Sequence, residues 1–190
     1  MQRVVVVTPP DPIMELAEVK DHLRVDHGDD DLLIEAYLAA VTGHIDGPAG
    51  WLGRCIGIQT LEAGLDGFVH DPIALPYPPV IEVESIQYED VLGNLQTLDP
   101  ATYETRYGEV GTAWGKSWPG TRAYRGSSRA VRIRYVAGYE EVPPAIRVAV
   151  LMMAADLYKF RESVGASSAA AEIRIPTAVE MLLQPFRVYA

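Results

Sequence analysis

The chain has 190 residues, 48% of them hydrophobic and 22% charged, with a formal net charge of −10. That length allows one domain, or one domain with an insertion, around a real hydrophobic core. The acidic balance opposes gripping DNA through its phosphates, yet it suits a surface past which DNA slides without sticking. No apolar run is long enough to span a bilayer, so no membrane role is expected. A single cysteine, Cys55, excludes an internal disulfide framework and fits a reducing cytoplasm.

The N-terminal MQRVVVVTPP is too short for a signal-peptide core and reads as an edge strand ended by prolines. Asp11 followed by Pro12 predicts a helix start, with Leu16, Val19 and Leu23 at helical spacing. The polar link from Asp26 to Asp31 breaks that helix and opens another. The inner face of the second helix is predicted at Leu33, Ala36, Tyr37, Ala40, Val41 and Ile45, with Gly47, Pro48 and Gly50 stopping it. Two helices joined this briefly make an αα-hairpin.

From Cys55 the period changes to two, at Ile56, Ile58 and Thr60 and again at Ile81, Val83 and Ser85. Gly93-Asn94 predicts a hairpin turn. Residues 71–79 read as an extended connector, and 108–128 as a long loop rich in glycine and serine. Strand alternation returns at Val131, Ile133 and Tyr135 and stops at Gly138.

Pro143-Pro144 then opens a helix in which Arg147 is the only strongly polar residue from Ala145 to Ala155. A helix apolar on nearly every side must be covered all round, by its own domain or by another subunit. In a chain this small the pattern reads first as a sign of assembly. Residues 165–171 (GASSAAA) read as a flexible joint. The amphipathic tail that follows either folds back on the helical core or docks in a groove of another protein. The predicted class is α+β: a helical bundle from the N- and C-terminal segments with a β-rich insertion between them. Its expected parts are 1–54 (edge strand and αα-hairpin), 55–140 (β-rich insertion), 141–164 (long core helix) and 165–190 (joint and docking arm).

Two groups of residues bear on chemistry. Asp26, Asp29, Asp30 and Asp31 beside His22 and His27 suggest a metal-dependent hydrolase. The histidines are five apart, however, and Gly28 is misplaced for a calcium loop, so helix capping explains the aspartates. Arg122, Arg125, Arg129, Arg132 and Arg134, with Trp114, Trp118 and Tyr124, suggest a nucleic-acid module. The overall charge favours instead a wet strand face and ion pairs between subunits, with Glu15, Glu18 and Asp21 as counterparts. No nucleophile–base motif, phosphate loop or cofactor pattern is present, so no enzyme is expected.

Laid end to end, these segments resemble the head–tail connector (adaptor, head-completion) proteins of long-tailed bacteriophages, prophages and gene transfer agents. LAEVKDHLRVDHGDDDLLIEAYLAAVTGHID is similar to the family's helical pair. IALPYPPVIEVESIQYED, LDPATYE, KSWPGTR and AVRIRYVAGY are similar to its β segment. VPPAIRVAVLMMAADLYKFRE and IPTAVEMLLQPFRVY complete the order, from Leu16 to Tyr189. Residues 47–57 and the AYRGSS stretch depart from the pattern.

The resemblance implies a structural, non-enzymatic protein of the virion neck, assembled in the host cytoplasm. It would form a ring under the portal, usually a dodecamer, that extends the DNA channel and carries the next neck, stopper or tail-completion protein. On that basis the tail residues Ile175, Pro176, Leu182, Leu183, Pro185, Phe186 and Tyr189 are expected to dock on the portal. Ile146, Val150, Met153, Leu157 and Phe160 are expected to pack in the ring or core. Arg132, Arg134, Glu15 and Glu18 would bridge subunits, and Asp29, Asp30 and Asp31 would line the channel.

Overall fold

In a computed structural model of the chain, the described residues are 3–122, 130–160 and 177–189. They form a mixed α/β structure with antiparallel sheets and four α-helices among the described residues. The chain divides into two units, Met1–Asp11 with Arg54–Glu140, and Pro12–Gly53 with Glu141–Ala190.

The first unit is built on strand β8 (Val131–Ala137), whose burial alternates without a break. Val131, Ile133, Tyr135 and Ala137 face the core, as a period of two requires when one face is covered. β8 pairs antiparallel with β2 (Gln59–Leu65) on one side and β4 (Val80–Glu89) on the other. β1 (Arg3–Thr8) and β5 (Leu95–Thr97) complete a five-stranded sheet in the order β1-β2-β8-β4-β5. The Tyr135 hydroxyl donates to the Pro76 carbonyl at 2.7 Å, and burial raises its ionisation well above the usual phenol range. It therefore acts as a neutral donor.

Three sequence expectations change here. β1 is an edge strand, but pairing with β2 places it in the sheet unit rather than with the αα-hairpin. The strand expected from Cys55 begins only at Gln59. Residues 55–58 give their backbone groups to three different segments, through Cys55 N–H to Pro78 O, Tyr139 N–H to Ile56 O and Asp11 N–H to Ile58 O. In β4 the alternation is broken by register shifts between Val80 and Glu82 and between Val83 and Ser85. Each shift resets which face a side chain meets, and so Ile86 is the fully buried residue of that strand.

The β4–β5 connection is the expected hairpin. Asp90 accepts from the Leu92 and Asn94 amides at 2.9 Å. The Asn94 amide foremost, helped by Gln96, holds this carboxyl below the usual carboxylate range. The region read as a loop from 108 contains a strand, β7 (Glu109–Thr112), which pairs with β6 (Tyr103–Arg106) and β3 (Ile73–Ala74) in a second sheet. Four residues that include a glycine carry no legible alternation. The strand exists because the Tyr107-Gly108 turn, with both residues at positive φ, folds it against β6.

The second unit holds α1 (Leu16–Leu23), α2 (Asp31–Ile45), α3 (Pro144–Lys159) and α4 (Thr177–Leu183). α1 starts five residues after Asp11, with Glu15 at its cap. α2 buries Ile34, Val41 and Ile45, while Leu33, Ala36 and Ala40 of the predicted face are exposed. A helix apolar on most sides does not fix its own rotation from periodicity. α3 packs against α1, α2 and α4 of the same chain and buries Ile146, Ala149, Val150, Met153 and Ala154. Its own unit thus covers most of the apolar surface that the sequence assigned to assembly. Val148 and Phe160 remain exposed.

Candidate functional site

The acidic link leading into α2 is a structural junction. Asp31 pairs with Lys20 of α1 at 2.5 Å, and Asp30 accepts from the Tyr158 hydroxyl of α3 at 2.5 Å. Arg147 of α3 pairs with Glu18 and also donates to the Ile13 carbonyl at 3.4 Å. The link therefore ties α1 and α3 to the start of α2, and of the three predicted channel aspartates Asp29 is the most exposed, its side chain 95% accessible with the His27 imidazole 4.0 Å away. No group of three or more His, Cys, Asp or Glu could hold a metal ion among the described residues. Tyr158→Phe is expected to remove a charge-assisted hydrogen bond worth about 1–2 kcal/mol, read as a lower urea midpoint with an unchanged slope.

Within one copy, the residues expected to bridge subunits have the following neighbours. Arg134 pairs with Glu62 at 2.9 Å because the two are in register on β8 and β2. Glu18 is taken by Arg147. Arg132 is half-buried and Glu15 is exposed at the α1 cap. Arg125, Arg129 and Tyr124 lie outside the described residues. Trp118 stacks on Phe68 at 4.6 Å with the rings 2° apart, against the sheet core, so it is not available as a base-stacking platform. Trp114 is exposed.

The tail resolves one open alternative. α4 packs on α3, with Val179 and Leu183 fully buried. The Val188 amide donates to the Leu52 carbonyl at 2.8 Å, and the Arg187 guanidinium lies 4.0 Å from the centre of the Trp51 ring. The described tail therefore folds back on its own helical unit. Leu183 is sealed in that core and cannot dock elsewhere without leaving it. Leu182 and Phe186 are half-buried, while Met181, Pro185 and Tyr189 are exposed. Ile175, Pro176 and the joint at 165–171 lie outside the described residues.

An open groove of about 470 Å³ on the small sheet is lined by Asp71, Glu104, Arg106, Tyr107 and Thr112. Asp71 there accepts from the Thr112 hydroxyl at 2.7 Å, and Arg106 pairs with Glu104 at 2.6 Å.

Three solved chains of similar fold come from gene transfer agent particles. A chain from the virion of a native gene transfer agent (GTA) particle has a TM-score of 0.74 at 23% identity, covering 98% of this chain and 96% of that one. The two chains share a fold. A chain from the neck of an empty GTA particle, computed with C6 symmetry, gives 0.71 at 22% identity over 99% of this chain and 96% of that one. A chain from the neck of a native GTA particle, computed with C12 symmetry, gives 0.66 at 21% identity over 100% and 96%. No sequence-family model matches the chain, and no curated protein matches it either.

The Trp51–Arg187 contact is not legible in the sequence. A cation stacked on a ring 136 positions away leaves no local signal.

Proposed function

We propose that this protein is a non-enzymatic component of a virion neck, an adaptor that forms a ring under the portal, extends the DNA channel and joins the capsid to the parts below. The observation that carries this reading is the end-to-end match to GTA particle chains, in which nearly the whole of each chain takes part. The C12 symmetry of one of those necks supports twelve copies. A net charge of −10 suits a conduit that DNA crosses without binding. Asp29, exposed at the head of α2, is the aspartate left to face such a lumen. Portal docking falls to Ile175 and Pro176 with the exposed Pro185 and Tyr189, because the buried Leu183 already serves the helical core.

The test is particle composition. Purified particles from the host are expected to contain the protein, with density for it in the neck by electron cryomicroscopy. Deleting its gene is expected to leave filled heads without tails. Particles that lack the protein, or a deletion strain with intact particles, would refute the reading.

A further inference from the structure

We propose that neighbouring copies in the ring are joined edge to edge, β1 of one copy adding to the open edge of β4 in the next. This rests on the ring reading above and names the surface that closes it. β1 is the sequence RVVVVT at one end of the five-stranded sheet. Val5, Val6 and Val7 are exposed, and among the described residues no backbone hydrogen bond reaches its outer side. Natural edge strands are guarded by charges, a proline, a bulge or a cover. Val4, Val5 and Val6 carry none of these, the register shift of β1 coming after them, between Val6 and Thr8; such an edge is a template for another strand.

The second half of the contact lies at the other end of the same sheet. β4 has ten residues, but β5 pairs only with Gln87, Tyr88 and Glu89. The side of β4 away from β8 is therefore open from Ile81 to Ser85, with Ile81, Glu82 and Glu84 exposed. Two different, complementary edges on one chain are what a head-to-tail ring needs, whereas one self-complementary patch would give a closed pair.

Strand direction agrees. The sheet is antiparallel throughout, so β1 and β4, three places apart, run oppositely. A copy repeated in the same sense beyond β4 brings its β1 in antiparallel, as main-chain augmentation commonly uses. Centring the two segments sets Val5 opposite Glu84 with Arg3 diagonal to it, and brings Val7 and Glu82 near each other across the register shifts that both strands carry there. The positive end of β1 thus meets the acidic edge of β4.

The experiment uses particles assembled with full-length variants. Val5→Cys combined with Glu84→Cys, and Val7→Cys with Glu82→Cys, are treated with a short thiol cross-linker. Cys55 is fully buried, which keeps the background low. A ladder of linked multimers from either double variant, with none from the single variants, is the expected result. Dimers from Val5→Cys alone would mean a two-fold pairing of β1 edges and overturn the proposal. The absence of any cross-link, in particles whose neck holds the protein, would overturn it while leaving the ring intact. A chain absent from wild-type particles refutes the ring reading itself. Val5→Lys with Val7→Lys, both at exposed positions, is expected to leave the melting curve unchanged and cut neck occupancy about tenfold or more. Full occupancy in that variant would also overturn the edge contact.

Discussion

Leu183→Ala is expected to destabilise the helical unit by about 3 kcal/mol, and removal of residues 177–190 to unfold it. Leu183 and Val179 are fully buried, and α4 covers α3. Truncating a sealed leucine loses its transfer free energy and leaves a cavity, in total about 2–5 kcal/mol. Losing the whole segment also strips the Val188–Leu52 hydrogen bond and the Arg187–Trp51 stack. Met181→Ala is the control, since Met181 is 73% exposed on the same helix, and it should shift stability by less than about 0.5 kcal/mol. Urea unfolding followed by circular dichroism reads all three. A truncated chain as stable as the full one would mean that the tail is an arm, as one sequence reading allowed, and not part of the core.

Gly138→Ala should be at least as costly, by about 3 kcal/mol or more, through steric conflict and backbone strain. Gly138 sits at φ 136°, a region that side chains rarely enter, and a β-carbon there would lie 2.5 Å from the Gly57 carbonyl oxygen and 2.7 Å from the Ile58 Cα. Both neighbours are backbone and cannot swing aside. The close approach exists because Gly138 N–H bonds Pro79 O and Tyr139 N–H bonds Ile56 O, each at 2.9 Å, drawing three segments together at the end of β8. Gly43→Ala makes the opposing comparison. It lies in α2, where an added methyl would meet nothing within 4 Å, and should gain up to about 1 kcal/mol from helix propensity. Equal melting temperatures for the Gly138 variant and the parent would refute the packing argument.

Local chemistry made several elements legible. The unbroken alternation of β8, the proline-led start of α3 and the Gly93-Asn94 turn each follow from neighbours within a few residues, and each is present. The order of motifs pointed to the fold that the GTA chains share. Misreadings arose where a distant group intervened. Asp11 looked like a helix cap, but the helix begins at Leu16 with Glu15 at its cap, and the Asp11 amide bonds the Ile58 carbonyl. The partners of Asp30 and Asp31, Tyr158 and Lys20, were likewise out of reach of any local pattern.

Sequence was therefore sufficient for the type of the strongly periodic elements, the acidic balance and the order of the main segments, since these depend on composition and on periodicities that each segment carries alone. Folding in three dimensions assigned the rotation of α2, the two register shifts of β4, the partner of each ion pair and the return of the tail onto α3. Those outcomes depend on which remote surfaces and backbone groups meet, and a helix apolar on most sides or a short strand carries no local mark of its partner.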